Sequence, residues 1–396
     1  MDSTYVKTTE VGLVFTKLFF QFCLRKQLND PTLMIHEAEY APSASEKMAL
    51  ALKHPKSGSH PIGVQRYNLL FESQGKQQQI VVIVKSKISE EDYLKAISTA
   101  FFQCGIRTTH PVYDYLSQLE FAYVNRKEAA IYAMQQAYPA FQQYLPFSYG
   151  SYVSGSGDAC VLVLQYLDEE WLSLDPFNIA KWNQRAIENL CAALAKMHAV
   201  WYQKEAELMK IPGFGNRLDA VKMQQLMPYW LALADAVKLA QLPFLQVEDY
   251  AFHSRLIQDI PIWRAQIDTM KKTLVQNDCV PKNVAFSENE RQIYVYDWEI
   301  ATIHLPQRDA VEFLSYVLPT DFDAKLLLHY LDQHRLQLAE ATKTRIAEEE
   351  WQLGFKYCLY DFLIQRVLPQ LVFEKLEARN IANVYANVRK MITLLS

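Results

Sequence analysis

Val275-Gln276-Asn277-Asp278-Cys279-Val280-Pro281-Lys282-Asn283-Val284-Ala285-Phe286 is followed, past the polar residues Ser287-Glu288-Asn289-Glu290, by Ile293-Tyr294-Val295-Tyr296-Asp297-Trp298-Glu299. Short apolar runs on either side of a polar turn read as strand, turn, strand. An aspartate and, five positions later, an asparagine sit before that turn, and a second aspartate closes the unit. Asp278 offers a carboxylate to a reacting hydroxyl. Asn283 and Asp297 offer oxygen to magnesium, a hard cation that prefers oxygen donors and substrate phosphates. Taken singly, Asp278 and Asn283 are also common turn formers. The second aspartate on the following strand favours the chemical reading, because phosphoryl transfer is catalysed mostly by positioning and charge neutralisation.

Upstream, Ile80-Val81-Val82-Ile83-Val84 is apolar and almost wholly β-branched, the pattern of a strand buried on both faces, and Lys85 stands at its end. A lone cation after five apolar residues costs free energy unless an anion meets it. Val64 to Phe71 reads as a partner strand, joined through the turn-like Ser73-Gln74-Gly75-Lys76. Val161 to Leu164 is a further buried strand. Helices are expected over Val11 to Leu24, Ser89 to Phe102 and Arg126 to Ala137. Glu46 to Leu52 is either strand or short helix. Beyond Asp168 helices dominate: Ile179, Trp182, Ala186, Ile187, Leu190, Leu194, Met197 and Trp201 recur at helical spacing, and three or so helices fill Asp321 to Ser396. The layout predicts an α+β chain with two lobes, residues 1–164 and 165–396, and a hinge near Gln165 to Asp168.

The 396 residues carry a formal charge of -4 and are half hydrophobic. Such a chain can bury large cores. Its charge argues against nucleic acid as the main partner, which calls for a basic surface. The six cysteines are scattered singly, without a CxxC pair, so neither zinc nor a disulfide framework is suggested and a cytoplasmic location is expected. Val11 to Leu24 is interrupted by Thr16, Lys17 and Gln21 and is too short to span a bilayer.

The segment from Asn277 to Glu299 resembles the active-site segment of the aminoglycoside phosphotransferase and choline kinase superfamily, small-molecule kinases of the protein-kinase-like fold. Asn277-Asp278 and Asp297-Trp298-Glu299 are similar to that family's Asn-Asp and Asp-aromatic-Glu. Pro306-Gln307-Arg308-Asp309 resembles its Pro-x-x-Asp, whose aspartate braces the catalytic loop. The resemblance implies a small nucleotide-binding lobe with an antiparallel sheet, a larger, mainly helical lobe with the substrate pocket, ATP and Mg2+ as cofactors, and a small-molecule acceptor. It implies that Asp278 orients or deprotonates the acceptor hydroxyl, that Asn283 and Asp297 hold magnesium, and that Glu299 assists with metal or substrate. Lys85 would then meet the α- and β-phosphates, with Glu128 pairing with it and Glu120 as the competitor. Gln165, Tyr166 and Leu167 match the hinge that hydrogen-bonds adenine. His198 matches a helical histidine common in the family, although a histidine on a helix is more often a satisfied core residue.

Two departures stand out. The family's histidine before Asn-Asp is Gln276 here, and glutamine also donates and accepts. The glycine-rich phosphate loop is poor, with Ser57-Gly58-Ser59 the best candidate for backbone contact with phosphates. Together they motivate an alternative, a kinase-shaped binding or interaction protein without chemistry. For the acceptor, Trp351, Phe355, Tyr357, Tyr360 and Phe362 suggest an aromatic box for a quaternary ammonium, or a helix core. Glu340 and Glu348-Glu349-Glu350 suggest a site for a polycation, or a solvated helix face.

Overall fold

The structure, a computed structural model, describes residues 5–8, 12–41, 56–57, 60–119, 121, 123–154, 159–167, 182–215, 217–286, 293–374 and 381–396. Two units emerge, Met1–Tyr93 with Tyr123–Glu169, and Leu94–Ala122 with Glu170–Ser396. The first is built on an antiparallel sheet and the second is mostly helical, so the chain is α+β in the order expected of a protein-kinase-like fold.

In the sheet unit five strands run in the order Met34–Ala41, Gly63–Ser73, Lys76–Lys87, Cys160–Gln165, Ser148–Val153. The hairpin between the second and third turns at Gln74 and Gly75, both with positive φ. This is the primed geometry that matches strand twist. Strand Lys76–Lys87 extends past the apolar run, because its pairing with Cys160–Gln165 continues to Lys87. Lys85 is therefore inside the strand and not at its end. The expectation of burial on both faces also needs correction: Val82 and Val84 are fully buried while Ile80, Val81 and Ile83 are only partly so.

The buried face packs with Tyr67, Leu69, Val161 and Val163 against Phe19, Phe20, Cys23 and Leu24 of helix Lys17–Leu28. That helix starts later than Val11. Gly12–Phe15 is a strand paired with Tyr5–Thr8, and Thr16, whose side chain accepts from the Phe19 N–H, caps the helix behind it. At Gly150, φ +145°, a Cβ would lie 2.8 Å from the Cys23 Cβ, so only glycine allows this approach of strand to helix.

The other predicted helices sit close to their expected places, at Glu90–Gln103 and Val124–Ala133. Glu46 to Leu52 lies outside the described residues, as do Gly58, Ser59, Glu120, Asp168 and Ile179. Ser57 belongs to a two-residue strand, Lys56–Ser57, paired with His60–Pro61.

Among the described residues the helical unit holds two small two-stranded sheets, both antiparallel. Val284–Phe286 pairs with Ile293–Val295, as the strand-turn-strand reading requires, and Thr273–Val275 pairs with Thr302–His304. Around them lie Gln184–Trp201, Gln307–Val317, Ala324–Thr342, Glu348–Phe362 and Ile381–Leu394, among others. Trp201, Trp230, Trp298 and Tyr330 are among its largest buried side chains. All six cysteines are free thiols. Among the described residues no helix is long and apolar enough to cross a membrane.

Candidate active site

The helical unit's site begins with a completely buried carboxylate. Asp309 lies in the first turn of helix Gln307–Val317, where the helix dipole favours a negative charge. Its Oδ2 accepts the Gln276 N–H at 2.9 Å and its Oδ1 accepts the Asn277 N–H at 2.8 Å. The His198 Nε2 lies 3.0 Å from Oδ2. Asp309 can only accept, so His198 donates through Nε2. Its Nδ1 lies 3.4 Å from His334 Nε2. His334 is buried and held well below its usual range by desolvation, with His198 adding to the effect. The bland reading of His198, a satisfied core histidine, is the structural one: it braces the loop through Asp309.

Held in this way, the chain turns sharply. Asn277 has φ +65° and Asp297 has φ +62°, in the left-handed region that Asn and Asp tolerate better than other non-glycine residues. Gln276 is fully buried and joins the two bends. Its amide donates to the carbonyls of Tyr296 at 3.0 Å and Asp297 at 2.7 Å, and its Oε1 accepts the Asp278 N–H at 2.8 Å. The glutamine thus ties the loop to the strand that carries Asp297.

Asp278 is 17% exposed. Its Oδ2 and its carbonyl both accept from the Asn283 Nδ2, each at 2.8 Å. Because that amide spends its nitrogen on Asp278, its oxygen is the end that could hold a cation. The Asn283 carbonyl accepts the Tyr296 N–H at 3.1 Å, one residue before Asp297. One carboxylate oxygen each from Asp297 and Glu299 lie within 4.8 Å of one another. Hard oxygen donors grouped in this way suit magnesium. Cys279, next to Asp278, is a packed thiol, pushed well above its usual range first by burial and then by Asp309, Glu312 and Asp278.

In the sheet unit Glu128 is completely buried, and Lys85 reaches both its oxygens, at 2.9 and 3.0 Å. The expected pairing is present, but it is not exclusive: Lys87 Nζ lies 2.6 Å from the Glu128 Oε2. Residues 85 and 87 share one face of the strand. That alternation was available in the sequence, but the apolar run appeared to end at Val84. Where a hinge was expected, the Gln165 N–H donates to the Phe147 carbonyl at 2.7 Å and the Tyr166 N–H to the Val81 carbonyl at 3.3 Å. Those two donors are engaged within the sheet unit.

A family model described as "Phosphotransferase enzyme family" matches residues 109–348, more than half of the chain. The chain belongs to that family. The resemblance carried by Asn277 to Asp309 holds at this level, and the matched stretch contains Glu128, Asp278, Asn283, Asp297 and Asp309, while Lys85 falls outside it. No curated protein shows significant sequence similarity to this phosphotransferase-family member.

Several solved structures are similar in fold. A wild-type aminoglycoside 2'-phosphotransferase-IIIa in a GDP complex is 12% identical, with 96% of this chain and 97% of that one covered and a TM-score of 0.44. A choline/ethanolamine kinase family protein from Mesorhizobium loti is 14% identical over 83% and 85%, TM-score 0.41. An aminoglycoside phosphotransferase from Streptomyces rimosus, in complex with ADP and streptomycin, is 14% identical over 80% and 96%, TM-score 0.39.

The family's loop has here a surrounding set that sequence reading did not find. Arg366 donates to the Asp278 Oδ1, and its Nε lies 3.8 Å from Glu312. Glu312 is completely buried and also meets Arg308 at 2.9 Å. Burial pushes Glu312 up to about 7, against the pull of Arg308 and Arg366. Of the residues suggested for an acceptor pocket, Tyr357 and Tyr360 are half-buried. Trp351, Phe355 and Phe362 are buried core residues, and Glu348, Glu349 and Glu350 are exposed in the first turn of their helix, as is Glu340 at the end of another.

Proposed function

We propose that the protein transfers the γ-phosphoryl group of ATP, with magnesium, to a hydroxyl of a small molecule, whether an aminoglycoside, a choline-like compound or another metabolite. The observation that carries this reading is the Asp278–Asn283 pair. A half-buried carboxylate is locked by an amide whose oxygen is left to a metal, on a loop tied through Gln276 to the bend at Asp297. In this reading Asp278 takes or orients the hydroxyl proton. Asn283, Asp297 and Glu299 hold the metal, which neutralises charge on the transferring phosphates when bound. Lys85, held by Glu128, meets the α- and β-phosphates. Residues 1–164 serve as the nucleotide-binding lobe and residues 165–396 as the substrate lobe.

At the hinge we assign adenine to the backbone of Leu167 and to the carbonyls of Gln165 and Tyr166, since the N–H groups of those two already donate within the sheet unit. Ser57, Gly58 and Ser59 remain the candidates for backbone contact with phosphate. The reaction is placed in the cytoplasm, where thiols stay reduced.

Loss of chemistry in a kinase-shaped binding protein has less support, because Gln276, one of the two departures that suggested it, makes structural hydrogen bonds of its own; the other, the poor glycine loop, falls partly outside the described residues.

Incubating the pure protein with labelled ATP, magnesium and a panel of hydroxyl-bearing metabolites should label one class of acceptor. Asp278→Ala should lower that turnover by roughly 10²–10⁴-fold. Unchanged turnover would remove Asp278 from its assigned role. A thermal-shift titration should show stabilisation by ATP with magnesium; its absence would favour the non-catalytic reading.

A further inference from the structure

Arg366 lies beyond the stretch matched by the family model, on a single π-turn, Leu363–Val367, set between helices Glu348–Phe362 and Leu368–Phe373. The Leu368 N–H bonds to the carbonyl of Leu363, five residues back. Pro369 explains the irregularity. It has no N–H to donate, and its ring crowds the carbonyl four residues earlier, at Gln365. Widened turns of this kind recur at functional sites.

Here two consecutive side chains of the turn meet acidic partners. Gln365 donates to the Asp361 Oδ1 at 2.6 Å, and Arg366 donates to the Asp278 Oδ1. Behind Arg366 the charges alternate. Its Nε faces Glu312, Glu312 faces Arg308, and the Arg308 Nε lies 3.6 Å from Asp361. Arg308 also lies over the Phe362 ring, 4.9 Å from its centre.

Both carboxylate oxygens of Asp278 are thereby held, Oδ2 by Asn283 and Oδ1 by Arg366. A carboxylate gripped at one oxygen can still rotate about its side-chain bonds, whereas one gripped at both has a fixed plane. We propose that Arg366 is a positioning residue for the phosphoryl transfer: it fixes the plane of the Asp278 carboxylate toward the acceptor hydroxyl, and Glu312 and Arg308 fix Arg366 in turn. The inference rests on the reading of Asp278 as the residue that receives the hydroxyl proton. In the step it serves, the acceptor oxygen bonds to the γ-phosphorus. The bond from that phosphorus to the β-bridging oxygen breaks, ADP leaves, and the hydroxyl proton passes to Asp278. Arg366 touches none of the reacting atoms; its effect is exerted through the carboxylate. Lysine would keep the charge but lacks the planar fork that reaches Asp278 and Glu312 together.

The test uses the whole 396-residue chain with ATP and magnesium, and water as the acceptor, so that no acceptor need be known. Arg366→Gln is expected to lower kcat for ATP hydrolysis about 10–100-fold while the KM for ATP stays within about twofold, because orientation is lost and nucleotide binding is not. Arg366→Lys is expected to recover part of the loss and remain several-fold below the natural protein. Wild-type kcat in Arg366→Gln overturns the proposal. So does a kcat loss matched by an equal loss of ATP affinity, which is what general structural damage produces. If Arg366→Gln fails to fold, wild-type kcat in Arg366→Lys overturns it instead. Where the natural protein turns over no ATP with water, the same kinetics are read with the acceptor labelled in the metabolite panel; turnover with neither is a separate result, which removes the phosphotransferase reading itself before a variant is made.

Discussion

Glu128 in the sheet unit and Asp309 in the helical unit are both completely buried carboxylates, and they are neutralised by opposite means. Glu128 collects cations, Lys85 and Lys87 from one strand. Asp309 collects hydrogen-bond donors, two consecutive backbone N–H groups and an imidazole. The first arrangement stores charge where, in the proposed reaction, a triphosphate arrives. The second fixes backbone, because hydrogen bonds to main-chain N–H groups determine where the chain runs. A cation-paired carboxylate orients side chains; a donor-paired one shapes a loop. That difference predicts which half of the chemistry each residue controls.

The comparison breaks first at Asp309. Asp309→Ala leaves the Gln276 and Asn277 N–H groups and His198 without their acceptor. Each stranded buried donor costs about 1–3 kcal/mol, so the total is roughly 4 kcal/mol, a large part of an ordinary protein's stability. Denaturant unfolding should register that loss. Asp309→Asn, which keeps one acceptor oxygen, should lose less stability and still depress turnover, since the loop carrying Asp278 is no longer held. Full turnover in Asp309→Asn would mean that the loop keeps its shape without the brace.

Glu128→Gln sharpens the other side. Breaking a buried ion pair typically costs about 3–5 kcal/mol, and about 3 is expected here because Lys85 is 20% exposed and retains some hydration. The loss should appear in ATP affinity more than in turnover at saturating ATP, since Glu128 orders the lysine and not the catalytic loop. A variant that lost turnover at saturation with unchanged ATP affinity would reverse the roles assigned to the two carboxylates.

The same pair shows what could be read without coordinates. Asp278, Asn283 and Asp297 lie within one short stretch, so local spacing carried their relation, and the strand pair between Asn283 and Asp297 formed as expected; the Asp309 brace was implied by the family resemblance. Lys85 was legible from a rule about stranded charge, whereas Glu128 was implied only by the family resemblance, with Glu120 as its competitor. Lys87 was not, because an apolar run marks where burial begins and not where strand pairing stops. Arg366 lies 88 residues from Asp278, and nothing local links them; only Pro369, in an otherwise helical pattern, hinted at an irregular turn. The start of the first helix was misplaced for a related reason. Thr16 looked like a polar interruption of a helix, whereas it is the cap that begins one.

The smallest effect extends the comparison to acid. Among the described residues the buried histidines, His198, His253, His304 and His334, all belong to the helical unit. His253 isolates the behaviour, because it lies away from the proposed site. The Tyr385 hydroxyl donates to Asp249 at 2.7 Å, so His253 Nε2, 2.9 Å from that hydroxyl, must be the donor, and its Nδ1 is buried without a partner. Charging the ring would place a second N–H where nothing accepts it. Burial accordingly lowers His253 to about 4, with Arg389 adding to the effect and Asp249 opposing it. The unfolded chain binds this proton near pH 6.5 and the folded one only near 4. The contribution is therefore present above about 6.5 and is lost as the pH falls toward 4. By pH 5 the loss is about 1–2 kcal/mol, at 1.36 kcal/mol per pH unit. His253→Gln keeps an N–H for Tyr385 and removes the titration, so its melting temperature should fall less steeply than that of the natural protein between pH 7 and pH 5. Parallel slopes would show that the acid sensitivity of the helical unit comes from its other buried histidines, His304 and His334, both of which burial holds well below the usual range.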